Sequence, residues 1–558
     1  MVLMFLCLDF ESIKAPRMHK HKHFYVQSGI INTMNDEQRI ASEAAAQKLA
    51  DTSGVPYLDV RDLSSYPDLS ELISYEQLLA YRVAPLVYGH ETQAIEFGLT
   101  AGTDRTKLPD LVNIVSGHQV TFKTISDAGY QDVMNTLYMA SFKKELDGDF
   151  ASFGPRLANT APKAAFQLIA QLAHLLRSSD IHIEPQESVA RIRFRIDGTL
   201  HPITTVNLES YKVFLADLQT RANIKWGSDD PQSGRISFDL VDSHGKQQTV
   251  NMRIETIPSF HGEEIVVRIF GMDASFLKID NRGFSDQQLT KLRDIINRPN
   301  GMVLAVGPTG SGKTSMLYSI VNELNNEETK IITLEDPVEY DLPGVTQIPI
   351  HSEDKELFAE KLRAVLREDP NVIMIGEIRD LDTAKTALQA SLTGHLVLST
   401  FHASSAATAI SRLLDMANEN ALLASSIKVI NAQRLLRKVC EYCKQPVELD
   451  SVTRERVQKA LSNLPAETQA EFASPQLVKG QGCPACNGLG YRDRIAIVEQ
   501  LIMNKELEAL LSGNTQVTAD QVEEVAIKAG MVTLLQDGLI KALRGLTTLE
   551  EVEHVLEF

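Results

Sequence analysis

No run of eighteen apolar residues occurs in the chain, so no segment reads as a membrane-spanning helix. The apolar start, residues 1–8, lacks a basic region before it and a cleavage-like stretch after it, and no secretory signal is read there. Positive charge is also short: 55 Lys and Arg stand against 73 Asp and Glu, a net charge of −18. Proteins that coat duplex DNA do so through basic surfaces that release counterions, which disfavours that class. No stripe of interleaved aromatic and basic residues suggests single-strand binding either. With five cysteines and an expected cytosolic location, disulfides are not the natural reading. What remains is ordinary globular composition over 558 residues, too long for one core and suited to two to four domains.

Against those absences one stretch stands out: Gly307-Pro308-Thr309-Gly310-Ser311-Gly312-Lys313-Thr314. An apolar run, residues 302–306, precedes it as a buried strand, and Met316, Leu317, Ile320, Val321 and Leu324 follow at helical spacing. Strand, glycine-rich loop and helix come in the order a P-loop requires. Glycines let successive N–H groups turn in around a phosphate, and the helix N-terminus adds its positive end. Lys313 reaches for the β- and γ-phosphates, and the Thr314 hydroxyl suits Mg²⁺, a hard cation that prefers oxygen. The stretch therefore predicts a nucleoside triphosphate site.

The rest of the chain divides around it. Residues 1–34 read as a disordered leader carrying Met18-His19-Lys20-His21-Lys22-His23, or as sequence ahead of a start at Met34. Residues 35–141 mix an Ala-rich helix with short strands and give a small α/β docking domain. A polar linker, 142–162, leads to a second α/β domain over 163–272, whose alternating strands include Arg191, Arg193 and Arg195 before an Asp197-Gly198 hairpin turn. A linker at 273–285 precedes the P-loop core at 286–435. Residues 436–500 hold four cysteines and 501–558 are helical, with breaks expected at Gly530-Met531 and Asp537-Gly538 and a helix start at Thr547-Thr548.

Ligands of open parallel sheets sit outside the carboxyl ends of the strands, so the residues just past each core strand carry the chemistry. Residues 330–334 end in Glu335-Asp336-Pro337-Val338-Glu339, residues 371–375 in Gly376-Glu377, and residues 396–400 in Phe401-His402, with His395 just ahead of that strand. Phosphoryl transfer to water needs one group to orient the nucleophile and others to hold Mg²⁺ and neutralise developing charge. Glu335 and Glu377 are the two carboxylate candidates, one as general base or water positioner and one linked to Mg²⁺ through water. Gly376 stands where many P-loop enzymes carry an Asp.

Four of the cysteines form Cys440-Glu441-Tyr442-Cys443 and Cys483-Pro484-Ala485-Cys486, two pairs at zinc-knuckle spacing. The 39 residues between the pairs require a helical arm, about residues 451–472, to be looped out. A structural Cys₄ zinc site is expected, closed and without an open catalytic position.

Taken together, the P-loop, residues 332–340, residues 366–380 with their Gly-Glu ending, and residues 393–404 around the histidines resemble the secretion ATPases of type II secretion and type IV pilus assembly. The resemblance covers roughly residues 40–558. It implies a RecA-like core preceded by a PAS-like domain, and a homo-hexamer with nucleotide between the two. Arg253 and Arg268 match the family's phosphate-contacting pair, while Arg363, Arg367 and Arg379 match arginines that line the subunit contact or sense nucleotide. His395 and His402 would couple phosphate state to movement. ATP, Mg²⁺ and Zn²⁺ are the implied ligands. An inner-membrane platform protein and a cytoplasmic docking partner are the implied partners, which would hold the chain peripherally at the inner membrane. Paired cysteines point to the extension branch rather than retraction. The stretch 225–235 lacks the longer basic, leucine-containing run of many type II members and leans toward type IV pili. No arginine and leucine repeat predicts cyclic dinucleotide control. Two other classes fit a P-loop with a Cys₄ module: a nucleic-acid translocase, and a nucleotide-binding scaffold without hydrolysis.

Overall fold

The computed structural model describes residues 36–556, apart from 64–65, 68, 70–71, 90–91, 147–152, 159, 161, 226, 242–246, 271–276, 351–354, 418–419, 466–467, 470–476 and 514–516. The expected leader, with its histidine tract and Cys7, lies outside the described residues.

The first domain runs α1 (Asp36–Ser53), α2 (Tyr75–Tyr81), β1 (Val83–Gly89), β2 (Ala94–Leu99), α3 (Leu108–Ile114), β3 (Gln119–Thr124) and α4 (Asp127–Leu146). Its sheet is small, with β2 central, antiparallel to β1 and parallel to β3. Val83, Leu86, Ile95 and Phe97 make its core with Val133 and Met134 of α4. This is the α/β domain expected there, with α4 carried five residues past the boundary expected at 141.

The second domain comprises α5 (Phe153–Ala158), α6 (Pro162–Leu175), β4 (Ser178–Pro185), β5 (Val189–Ile196), β6 (Thr199–Asn207), α7 (Leu208–Arg221), β7 (Gln232–Val241), β8 (Gln247–Ser259) and β9 (Gly262–Phe270). Six antiparallel strands lie in the order β6-β5-β4-β9-β8-β7. Period-2 alternation sends Ala190, Ile192, Phe194 and Ile196 of β5 into the core beneath α6, leaving Arg191, Arg193 and Arg195 on the opposite face. The β5–β6 turn has positive φ at both Asp197 (48°) and Gly198 (91°), as a two-residue hairpin of this hand requires. Helix α5 lies in the span expected to be a linker. Its Phe153 and Leu157, one helical turn apart, are buried in the second core, and Pro155 is tolerated because it sits in the first turn.

The third unit is built on a seven-stranded sheet. In chain order come α8 (Asp286–Ile296), β10 (Gly301–Val306), α9 (Lys313–Leu324), β11 (Ile331–Glu335), β12 (Thr346–Pro349), α10 (Lys355–Val365), β13 (Val372–Ile375), α11 (Leu381–Leu392), β14 (Leu396–Phe401), α12 (Ala406–Ala417), α13 (Asn420–Ser426) and β15 (Ile427–Val439). Next are β16 (Lys444–Pro446), α14 (Ser451–Ala460), β17 (Val478–Gly480), β18 (Tyr491–Ile502), α15 (Lys505–Gly513), α16 (Ala519–Lys528), α17 (Leu534–Leu543) and α18 (Leu549–Leu556). The order is β12-β11-β13-β14-β10-β15-β18, parallel except for β18. Every residue of β10, β11, β13 and β14 is buried because helices cover both faces, which explains why these strands are largely apolar and do not alternate.

Strand β15 crosses the expected 435/436 boundary. Its first half pairs with β10 and its second half continues beyond that sheet, paired only with β18. The cysteine module is thus the far end of two core strands and not a separate body. The C-terminal helices also belong to the core cluster. Gly530 does end a helix, at φ 89°. Asp537-Gly538, expected as a break, instead lies inside α17. Asp537 is buried, accepts the Val498 N–H at 2.7 Å and pairs with Lys541 one turn on. At Gly538 a Cβ would come within 3.2 Å of Val552, so glycine serves the close approach of α18.

Candidate functional site

The phosphate loop hangs from the carboxyl end of β10. Gly307, Gly310 and Gly312 take φ of 154°, 78° and 87°, and α9 opens directly at Lys313, so the loop's N–H groups and the helix N-terminus converge on one spot. Lys313 Nζ donates to the carbonyls of Gly307 (2.8 Å) and Pro308 (2.9 Å), curling back over the loop. Burial lowers its pKa, and the Glu377 charge opposes that shift. Thr314 is exposed on the first turn. Gln433 of β15, which the sequence reading missed, braces the loop from below through Nε2 to the Ser311 carbonyl at 2.6 Å. A Cβ at Gly312 would stand 2.5 Å from that same Nε2, which is why the brace needs glycine opposite it. Among the described residues the Ser311 hydroxyl is buried without a partner. With the loop N–H groups, Lys313 and Thr314, that hydroxyl makes a donor set fitted to polyphosphate oxygens, and the Thr314 oxygen suits a hard divalent cation.

Two carboxylates stand at the neighbouring ends of β11 and β13, in contrasting surroundings. Glu335, the last residue of β11, is 2% exposed and receives hydrogen bonds from Tyr318 Oη, from Thr333 Oγ1 (2.5 Å) and from Gln347 Nε2 (3.1 Å). Burial and the Glu335 charge push the Tyr318 phenol pKa up, so it remains a donor. Glu377, two residues beyond β13, instead meets cationic or ionisable neighbours: Arg379 Nε at 2.7 Å, His402 Nε2 at 2.8 Å and the charge of Lys313. Arg379 also reaches Asp336 at 3.3 Å, tying the two strand ends together.

The second domain contributes its outward sheet face. Arg235, Arg253 and Arg268 are register partners across β7, β8 and β9, and Asp180 of β4 continues the row. Arg268 is held by Asp180 at 3.2 Å and Arg253 by Glu255 at 3.0 Å. All three arginines act on Glu339 of the core, whose carboxyl pKa is raised by burial and pulled back by Arg268, Arg253 and Arg235 in that order. The row therefore faces the segment just after β11. In the sequence Glu339 stood only as one of the carboxylates after that strand and Arg235 only as the start of an alternating run, and neither was given a role. Further contacts hold the two domains together: Asp493 N donates to Asp197 at 3.1 Å, Arg177 pairs with Asp493, and Phe270 lies edge-on to Tyr340 at 6.4 Å.

Three expected residues lie elsewhere. His395 precedes β14, so it sits at the amino edge of the sheet, six residues of strand away from the phosphate end, with Nδ1 on the Ala390 carbonyl at 3.2 Å. The structure does not bring it to the loop of its own chain. Arg363 and Arg367 are exposed near the end of α10, and among the described residues neither has a carboxylate partner.

The four cysteine sulfurs lie within 4.8 Å of one another. Cys440–Cys483, Cys443–Cys486 and Cys483–Cys486 are each 3.8 Å apart. Four thiolates at about 2.3 Å from a zinc ion would be about 3.8 Å from each other at the tetrahedral angle, so the set fits that metal. The N–H groups of Cys483 and Gly490 point at Cys486 Sγ, each at 3.2 Å, as donors suited to a thiolate. Helix α14 opens the looped-out arm.

The sequence signature of the family described as "Type II/IV secretion system protein" matches residues 161–554. The chain belongs to that family. It is similar to the type II secretion system protein E of Xanthomonas campestris pv. campestris, 35% identical over 534 residues that cover 92% of this chain and 90% of that protein. It is also similar to the type IV pilus assembly ATPase PilB of Thermus thermophilus, 33% identical over 539 residues, 93% of this chain but 58% of that longer protein. Among solved structures, the ATPase DotB of Legionella pneumophila superposes with a TM-score of 0.52 at 20% identity, over 70% of this chain and 95% of that one. At that identity the likeness shows the fold. For this family member, the second domain from α6 onward, the core and the cysteine module fall within the matched span, and the first domain lies outside it.

Proposed function

We propose that this chain is a motor ATPase that hydrolyses ATP to power type IV pilus assembly or type II secretion, working as a homo-hexamer on the cytoplasmic side of the inner membrane. The observation that carries the reading is the arginine row of one domain facing the segment beside the phosphate loop of another, because hydrolysis can then be tied to movement of one domain against the other. The names of the relatives supply the two alternative machines.

In this reading the loop N–H groups and Lys313 bind the phosphates, and the Ser311 hydroxyl takes an oxygen. Thr314, with Glu377 acting through water, would hold Mg²⁺, which supplies neutralisation of charge on the phosphate oxygens. Glu335 orients the attacking water and accepts its proton as the bond from γ-phosphorus to the bridging oxygen breaks, releasing ADP and phosphate. Arg253 and Arg268 swing over the triphosphate and stabilise the charge that develops there. His402 and Arg379 hold Glu377 in place, and Arg363 and Arg367 meet the neighbouring subunit. The zinc-fitted cysteines brace β15 and β18 and take no part in chemistry. The first domain docks a cytoplasmic partner, and an inner-membrane platform protein receives the motion.

Phosphate release by the full chain and by Glu377→Gln tests the reading. Turnover in the first and its loss in the second is the expected result; equal, negligible rates in both would make the chain a nucleotide-binding scaffold. Single-stranded DNA is expected to leave the rate unchanged, and strong stimulation would favour a nucleic-acid translocase.

A further inference from the structure

The buried residue that joins these parts is Tyr318, on the helix directly after the phosphate loop. Its side chain is 1% exposed, and it is the bulkiest of the fully buried side chains among the described residues. A phenol has one proton to give and an oxygen that accepts up to two. All three capacities are used: the hydroxyl donates to Glu335 and accepts the N–H groups of Glu339 at 3.3 Å and Tyr340 at 3.4 Å. Tyr318 therefore ties the candidate water-orienting carboxylate to the backbone of the segment that succeeds it.

That segment meets the second domain at two adjacent points, one by charge and one by ring contact. Arg268 acts on Glu339, and two residues along β9 Phe270 packs edge-on against Tyr340, whose ring packs edge-on against Tyr318 at 5.6 Å. Edge-to-face pairs of this kind resist sliding because ring edge and ring face carry opposite partial charge. A displacement of β9 relative to the core is thus transmitted through Tyr340 to the Tyr318 hydroxyl. On Glu335 itself, Tyr318, Thr333 and Gln347 occupy three of about four acceptor directions, which leaves one for a water.

We infer that Tyr318 is a positioning residue for hydrolysis, fixing the orientation of the Glu335 carboxylate and linking that orientation, through Tyr340 and Phe270, to the seating of the second domain. The inference rests on the hydrolytic reading above. It adds to the arginine row a second route by which the second domain governs turnover, one that acts on the water and not on the phosphate.

The test is a double-mutant cycle on the assembled full chain, reading kcat and KM for ATP. Tyr318→Phe keeps the ring and removes the hydroxyl. It is expected to lower kcat by about 10- to 100-fold, the scale of a misplaced reacting group, with KM within about twofold because Tyr318 lies outside the phosphate-binding donor set. Phe270→Ala, at the edge of the second domain, is expected to lower kcat by about 3- to 10-fold alone and by less than about 1.5-fold in the Tyr318→Phe background, since contacts on one route are not additive. A Tyr318→Phe enzyme with wild-type kcat, or one with KM raised and kcat intact, overturns the inference. So do two losses that simply multiply, which is what independent packing defects would give. Absence of turnover in the wild-type chain would instead overturn the hydrolytic reading on which it rests.

Discussion

The ends of β11 and β13 lie side by side, each ordering a glutamate, yet they do it by opposite means. Glu335 is sealed from solvent and held by three neutral donors, whereas Glu377 is partly open and held by a guanidinium, an imidazole and the nearby Lys313. Neutral donors fix direction with little change in charge; cationic neighbours stabilise an ionised carboxylate that can face a metal's water shell. On the proposed reading, that contrast suits Glu335 to orienting the nucleophile and Glu377 to the metal and phosphate side.

That division can be broken most sharply at the glutamates themselves. Glu335→Gln and Glu377→Gln are each expected to lower kcat by about 10²- to 10⁴-fold. Only Glu377→Gln is expected to raise the Mg²⁺ concentration needed for half-maximal turnover, and equal Mg²⁺ dependence in a titration of both variants would erase the distinction. A step smaller are the holding groups. His402→Ala should cost about tenfold in kcat and shift the Mg²⁺ dependence, because it acts through Glu377 alone. Thr333→Val should leave that dependence unmoved while lowering thermal stability by about 1–3 kcal/mol, the range for a lost partner of a buried polar group, as followed by denaturant unfolding. The smallest effect on turnover belongs to the cysteines. Cys486→Ser is expected to abolish one bound zinc per chain by metal analysis and to lower the melting temperature, with kcat at 25 °C changed less than about threefold, since neither glutamate touches the module.

Much of this was legible in the sequence because it depends on local order. A strand, loop and helix in succession announce the P-loop, and carboxylates directly after buried parallel strands announce Glu335 and Glu377. Cysteine spacing likewise pointed to the zinc-fitted cluster, whose sulfurs do converge. What escaped notice depends on contacts between distant segments. Gln433 matters only because β15 runs past the end of β10 under the loop. Tyr318 looks like any core aromatic until β11 is placed beside α9. Asp537-Gly538 imitates a turn, and only Lys541, Val498 and Val552 reveal why the helix continues. His395 and His402 are close in sequence, but an extended strand separates them to opposite ends of β14, so only His402 reaches Glu377.

The most direct test of the whole account is single-turnover phosphate release from assembled full-length protein in which Arg253 and Arg268 are both replaced by Ala. The account predicts release slowed by about a hundredfold or more, on the scale of losing charge-stabilising arginines at a phosphoryl group, with nucleotide still bound at the intact loop. Release at the wild-type rate would contradict the claim that the second domain acts on the phosphates held by the core.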